Sequence, residues 1–169
     1  MKSLMSAGKS VRPRSIAQRP AAIRVTHRFD ASPRQVFNAW LDPGIAGQWL
    51  FATASNPMTR VEIDARVEGA FCLAQTRDGD IVEYTGEYVE IVPQRRLVFT
   101  LSMRDHWYVT TRVSVEIVAL RAGCQLTLSH EDVPSHCAEY TEARWTGILY
   151  GLGVTLDAPS TASEVGDET

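Results

Sequence analysis

His130 is the side chain with the clearest capacity for chemistry, because alternation places it on the same strand face as Leu126 and Leu128. A neutral imidazole in such a position can donate a hydrogen bond to a ligand or act as a general base near its ordinary pKa of ~6.5. Buried polar groups also regularly find local partners, and a core histidine satisfied in this way is the more common outcome. Both interpretations stay open at this level.

Aromatic and apolar side chains form the larger candidate set, because several fall on or near the predicted inner faces. Each one alone is typical of ordinary core packing, whereas together they suit an apolar pocket with a few polar groups. Tyr84, Tyr88 and Arg112 are the further polar residues available to such a pocket. The candidate ligand-binding residues are Trp49, Phe51, Phe71, Tyr84, Tyr88, Phe99, Trp107, His130, Trp145 and Leu149.

A metal centre is not predicted, although Glu131, Asp132 and His136 lie close to His130 in the sequence. Their spacing matches neither a zinc finger nor the HExxH pattern, and no CxxC pair supports them. The chain also lacks the GxSxG, P-loop and GxGxxG patterns of acyl transfer and nucleotide binding. We therefore expect no metal, no cofactor and no assigned catalytic residue.

Two short helices are predicted directly after the first strand, in which apolar and polar residues alternate over residues 22–29. Ser32 can cap the first helix, Pro33 suits its first position, and Gln35 completes a capping box. The pair Asp42 and Pro43 repeats the signal of a cap followed by proline, which predicts a second helix.

After these helices, apolar and polar residues alternate in about six further segments, which predicts six strands separated by turn residues such as 78–80. Within residues 81–91 the apolar phase changes after Tyr88, which predicts a β-bulge near Gly86. A long helix follows over residues 135–157. Consecutive hairpins with helices on one face predict an α+β fold with an antiparallel sheet of about seven strands and a long C-terminal helix.

Composition favours one globular domain over residues 21–157, with a basic tail at 1–20 and an acidic tail at 158–169, both expected to be disordered. The basic start also loosely resembles an organelle transit peptide. The chain is 44% hydrophobic and 22% charged with a net charge of −3, which gives no basic face for nucleic acid. No segment is apolar enough to span a membrane.

The cysteines predict the compartment, because three thiols without paired spacing are typical of free cysteines in a reducing environment. We therefore expect a cytoplasmic protein. Arginine greatly outnumbers lysine, which is typical of a GC-rich bacterial genome. The expected partners are a hydrophobic small molecule and, as an open alternative, a second copy of the chain in a homodimer.

Four stretches of the chain carry a resemblance to a known family: RFDASPRQVFNAWLDPGIAGQWL (28–50), GEYVEIVPQRRLVFT (86–100), GCQLTLSHEDV (123–133) and the helix with Trp145, Leu149, Leu152 and Leu156. They resemble the START-like or Bet v 1-like (SRPBCC) superfamily, and within it the branch named for the activator of Hsp90 ATPase. The resemblance implies a helix-grip fold, in which the curved antiparallel sheet of about seven strands wraps around the long C-terminal helix and leaves an internal cavity. In such a fold the turns at 77–80 and 104–106 and the start of the long helix lie at one end, the expected mouth.

Three functions follow from this resemblance, and they are ranked by what the residues support. A binding or carrier module for a lipid-like or aromatic metabolite comes first. A polyketide cyclase or aromatase-like enzyme that uses the same cavity without a cofactor comes second, because the polar residues available to it are few. An Hsp90-associated co-chaperone comes third, since activators of this kind add a separate N-terminal domain that a tail of about 20 residues is too short to form.

Overall fold

The computed structural model describes residues 19–104 and 109–159. Its elements follow the predicted order of one strand, two short helices, six strands and a long helix. They are β1 (Ala21–Phe29), α1 (Pro33–Leu41), α2 (Pro43–Trp49), β2 (Met58–Ile63), β3 (Ala70–Arg77), β4 (Asp80–Val92), β5 (Arg96–Arg104), β6 (Thr110–Ala119), β7 (Cys124–Val133), a 3₁₀ turn (Ser135–Cys137) and α3 (Ala138–Asp157). The predicted tails lie almost entirely outside the described residues, and their disorder stays a prediction.

Both short helices begin as the sequence predicts. The Ser32 hydroxyl accepts a hydrogen bond from the Gln35 backbone N–H at 3.2 Å, and the Gln35 side chain accepts one from the Ser32 N–H at 3.0 Å. The Asp42 carboxylate accepts bonds from the N–H groups of Gly44 and Ile45 at 2.8 and 3.2 Å. These caps satisfy backbone donors that the first helical turn leaves without partners.

The seven strands form one antiparallel sheet in the order β1-β7-β6-β5-β4-β3-β2. Strands β2 to β7 therefore pair with their neighbours in sequence, as a meander does. Strand β1 pairs with β7 instead, and this brings the two ends of the domain together. The sheet curves around α3, which confirms the predicted α+β architecture with a long C-terminal helix.

The predicted bulge is present in β4 but lies later than expected. The β4–β5 register shifts between Tyr88 and Glu90, not near Gly86. Gly86 has a different role, because a Cβ atom there would lie 1.8 Å from the Thr100 carbonyl oxygen and 2.7 Å from two ring carbons of Phe71. The glycine therefore permits close packing between neighbouring strands, and the phase change belongs to the residues that follow it.

Helix α3 supplies one side of the core. Trp145, Leu149 and Leu152 are buried along it, and they share a helical face that packs with β1 and the two short helices. Trp40 of α1 contacts the rings of Trp49 and Trp145, with centroids 4.7 and 6.3 Å away. The short helices therefore close one end of the space between the sheet and α3.

No helix in the described part of the chain is long and apolar enough to cross a lipid bilayer.

Candidate functional site

A cavity of about 300 Å³ lies between the sheet and the N-terminal half of α3. The sheet contributes Tyr84, Leu101, Met103, Thr111, His130 and Val133 to its wall. The 3₁₀ turn and α3 contribute His136, Cys137, Thr141, Arg144, Trp145 and Ile148, and Phe51 closes it from the loop after α2. Most of these side chains are apolar, as is typical of small-molecule pockets.

The rim of this cavity is apolar and reaches the surface. Met103, Val109 and Tyr140 line it although they are 37%, 41% and 64% exposed. They lie at the end of β5, just before β6 and in the first turn of α3. The described part of the rim therefore lies at the start of the long helix and beside the ends of β5 and β6, as predicted for the mouth, whereas the 77–80 turn is not among the lining residues.

Four of the predicted binding residues meet at the cavity: Phe51, Tyr84, His130 and Trp145. Phe51 and Tyr84 stack with ring centroids 4.2 Å apart and planes 8° from parallel. Trp145 is 2% exposed, and its ring centroid lies 5.5 Å from that of Phe51. One aromatic wall thus joins β4, the loop after α2, and α3.

Phe71, Tyr88 and Phe99 lie elsewhere, around a separate void of about 10 Å³. The ring centroid of Phe71 lies 5.6 Å from that of Phe99, in an edge-on arrangement, and 5.5 Å from that of Tyr88. Burial, with a smaller effect from Asp64, raises the pKa of the Tyr88 phenol well above its usual value. A void of this size holds about one water at most, so these three rings form packed core.

Trp49 and Leu149 also belong to the packed core and are not among the residues that line the larger cavity. The Trp49 indole donates to the Ala39 carbonyl at 3.1 Å, which ties the two short helices together. Arg112 is exposed, since alternation along β6 turns it away from its buried neighbour Val113. Trp107 lies outside the described residues and stays a prediction.

The His130 imidazole is held through both ring nitrogens. The Trp145 indole N–H donates to Nδ1 at 2.9 Å, so the proton of the neutral ring is on Nε2. Nε2 donates to the Thr111 hydroxyl at 2.7 Å, and that hydroxyl donates to the Leu101 carbonyl at 2.9 Å. A continuous hydrogen-bond chain therefore joins α3 to β7, β6 and β5.

Burial lowers the pKa of His130 to about 4, although the nearby Asp132 carboxylate acts in the opposite direction. The ring is consequently neutral near pH 7, and its proton-accepting nitrogen is already occupied by Trp145. This arrangement matches the satisfied core histidine that the sequence left as an alternative. It leaves His130 without a free nitrogen to act as a general base.

Arg144 is the polar residue of the cavity that the sequence reasoning missed. Its guanidinium carbon lies 5.5 Å from the Phe51 ring centre and 5.3 Å from that of Tyr84, and Nη2 donates to the Tyr84 hydroxyl. One signal was present, since Cys137, Thr141, Arg144 and Ile148 recur at helical spacing and all line the cavity. A lone arginine in such a stripe is otherwise typical of a solvated helix face.

The described residues contain no cluster of His, Cys, Asp and Glu side chains arranged to hold a metal ion. Burial raises the pKa of the Cys72 and Cys124 thiols, which disfavours the reactive thiolate at either position. The polar side chains that line the cavity include His130, His136, Arg144 and the hydroxyls of Thr111 and Thr141.

The sequence profile of the Activator of Hsp90 ATPase homolog 1-like protein family matches residues 30–157, most of the folded domain. The chain belongs to this family. Membership in the Activator of Hsp90 ATPase homolog 1-like family confirms the resemblance carried by the four stretches of sequence. The fold of this family supports a ligand-binding or cyclase-like module in general.

Solved structures show the same fold. Protein CV1439 from Chromobacterium violaceum is 26% identical with a TM-score of 0.74, and the alignment covers 83% of this chain and all of that one. The AHSA1-like protein from Aeromonas hydrophila is 22% identical with a TM-score of 0.69, and the alignment covers 80% of this chain and 92% of that one. CalU16 from Micromonospora echinospora is 20% identical with a TM-score of 0.61, and the alignment covers 80% of this chain and 76% of that one. No curated protein matches the chain significantly.

Proposed function

We propose that this member of the Activator of Hsp90 ATPase homolog 1-like family binds one hydrophobic small molecule in the cavity between α3 and strands β5 to β7. The supporting observation is the cavity of about 300 Å³ with its apolar wall and exposed apolar rim. Ligand pockets commonly occupy ~300–1,000 Å³, so this one suits a single-chain lipid or a small aromatic metabolite.

A binding role is favoured over an enzymatic one by the state of His130. General-base catalysis needs a nitrogen that can take a proton from the substrate, and Nδ1 already accepts the Trp145 indole N–H. His130 therefore supports the shape of the cavity. The cytoplasmic location and the bacterial origin expected from the sequence are part of the same proposal.

An uncharged fluorescent dye tests the proposal directly. We expect prodan to bind with saturable one-to-one stoichiometry and a blue-shifted emission, because apolar burial at ~25 cal/mol per Å² supports micromolar affinity after association costs. Leu101→Trp should weaken binding at least tenfold, since Leu101 lines the cavity and a larger ring takes up part of its volume.

Phe99→Trp provides a matched control on the same strand. Phe99 points to the same side of β5 as Leu101 but borders the small void. The added volume should cost ~1–3 kcal/mol of stability through overpacking and leave prodan affinity within about twofold. Unsaturable dye binding, or equal binding by wild type and Leu101→Trp, would refute the ligand-binding proposal.

A further inference from the structure

Arg144 carries a positive charge that no carboxylate of the described residues neutralises. Within the described part of the chain, none of the ion pairs involves Arg144, although they engage Arg60, Arg66, Arg96 and Arg104. The residues described as lining the cavity include no aspartate, glutamate or lysine. Guanidinium groups that leave water are usually paired with an anion, because removal of an isolated charge from water is costly.

The position of this guanidinium is fixed by its neighbours. It lies against the stacked rings of Phe51 and Tyr84, which attract cations through their π faces. Nη2 donates to the Tyr84 hydroxyl, and Nη1 makes a weak contact of 4.0 Å with the Met103 sulfur. A cation that is held in place before binding loses less conformational freedom when it meets a ligand.

A second set of hydrogen bonds orients the Tyr84 hydroxyl toward this role. The buried Gln75 amide satisfies all its neighbours when its oxygen accepts from Tyr84 at 3.1 Å and from Arg77 at 2.9 Å, and its nitrogen donates to the Asn56 carbonyl at 3.0 Å. The Tyr84 proton is then directed to Gln75, and its oxygen lone pair accepts from Arg144. Tyr84 therefore positions Arg144 through a single N–H donor of the guanidinium.

Arginine has five N–H donors arranged to match the two oxygens of a carboxylate. Its contacts with Tyr84 and Met103 use at most two of them, and Arg144 is part of the cavity wall. The other polar group at depth, His130, is neutral and engaged through both nitrogens. Arg144 is thus a half-buried guanidinium in a lining that is mostly apolar and, among the described residues, contains no carboxylate.

We infer that the ligand is an amphiphilic acid, a medium-length fatty acid or aromatic carboxylic acid, whose carboxylate pairs with Arg144 while its apolar part occupies the cavity. This inference rests on the proposed ligand-binding function and specifies its ligand class. A volume of about 300 Å³ lies at the small end of ligand pockets and favours one short chain over a two-chain lipid.

Three ligands with the same ten-carbon chain separate the head group from the hydrophobic part. Prodan displacement at pH 7.5 should show that decanoate binds at least roughly 10-fold more tightly than 1-decanol, as hydrogen bonds to charged groups commonly provide. Decylammonium should bind more weakly than 1-decanol because it repels Arg144. Since this comparison uses the wild-type protein, it does not depend on whether a variant folds.

Arg144→Met assigns the preference to this residue. The ratio of decanoate to 1-decanol affinity should fall to about one in the variant, because methionine offers an apolar side chain but no N–H donor for the carboxylate. Arg24→Met, which removes one positive charge from an exposed position of β1, should keep the full preference for decanoate.

The possible failures are distinguishable. Equal binding of decanoate and 1-decanol by the wild-type protein would overturn the assignment of an acidic ligand and leave the hydrophobic binding function standing. A preference for decanoate that survives Arg144→Met would overturn the role of Arg144. If prodan itself does not saturate the wild-type protein, the proposed function fails, and the acidic-ligand inference fails with it.

Discussion

At the scale of single residues, His130 shows how the same side chain can serve structure in place of chemistry. Its hydrogen bonds to Trp145 and Thr111 join α3 to the sheet, and burial keeps the ring neutral. In the unfolded chain, the same imidazole has its ordinary pKa near 6.5. The difference between the two states makes the stability of the fold depend on pH.

Acidification should destabilise the protein partly through His130. Between pH ~6.5 and ~4 the unfolded chain binds a proton that the folded protein does not, so the free energy of unfolding falls as pH falls through this window. The full contribution is roughly 3 kcal/mol. Urea denaturation of His130→Gln should show a loss between pH 7 and 4.5 that is roughly 2 kcal/mol smaller than in wild type.

His27→Gln is the matched control, since His27 is a half-buried histidine on β1 outside the His130 network. It tests whether a changed pH dependence belongs to His130 or follows the loss of any histidine. His130→Gln should also be less stable at pH 7 by ~1–3 kcal/mol. The glutamine amide differs in shape from the imidazole, so it does not reproduce both buried hydrogen bonds, to Trp145 and to Thr111. An unchanged pH slope in His130→Gln would show that the ring is protonated in the folded protein.

The sequence predicted the position of His130 but not its partners. Alternation along one strand is a local pattern, and it placed the ring on the inner face correctly. Trp145 and Thr111 reach it from α3 and β6, and Arg144 meets Tyr84 across 60 positions of sequence. Such contacts depend on how the elements pack against one another. The periodicity within one element carries no information about that packing.

At the scale of elements, the starts of both short helices were fully predictable because their caps are local. All the capping bonds of Ser32, Gln35 and Asp42 join atoms within three residues of one another. The presence of a bulge in β4 was predictable, but its position was not. A glycine in a strand marks either a bulge or a site where another part of the backbone comes close. Only the packing of Phe71 and Thr100 shows which of the two Gly86 serves.

Gly86→Ala should therefore destabilise the sheet by roughly 3 kcal/mol, the upper part of the usual cost of overpacking. The new methyl group would lie 1.8 Å from the Thr100 carbonyl oxygen, which the paired strand holds in place. Thermal denaturation followed by circular dichroism measures the effect, with a fall of ~2–4 °C for each kcal/mol in a domain of this size.

Gly147→Ala is the control, because a Cβ atom at this exposed position of α3 has no heavy atom within 4 Å. It should stabilise the protein by ~0.5–1 kcal/mol through helix propensity alone. If Gly86→Ala proves as stable as wild type, the β4 backbone can move away from β5, and the close approach is not a constraint on the fold.

At the scale of the whole molecule, the cavity is the part of the core that the chain leaves unfilled. A ligand that binds the folded protein alone stabilises it by mass action, by ~2.7 kcal/mol at a free concentration of 100 times Kd. Saturation with 1-decanol should raise the midpoint of thermal unfolding by roughly 5–10 °C. Differential scanning fluorimetry at several ligand concentrations measures this shift.

The same titration of Leu101→Trp should give a much smaller shift, because its larger ring takes up space in the cavity. An equal shift in wild type and Leu101→Trp would mean that 1-decanol binds elsewhere on the surface. Family membership and fold were within reach of the sequence, because they depend on the order of elements. The volume left between those elements is a property of the assembled molecule alone.

The pairing of β1 with β7 has a consequence for the order in which the protein folds. Arg28 and Gln125 bond across this pair although they are 97 positions apart, whereas the other strands pair with neighbours in the meander. Closing so long a loop is slow, and on the ribosome β1 has no partner until nearly the whole domain has been synthesised. Contacts between these two strands therefore form late, and they slow unfolding more than they speed folding.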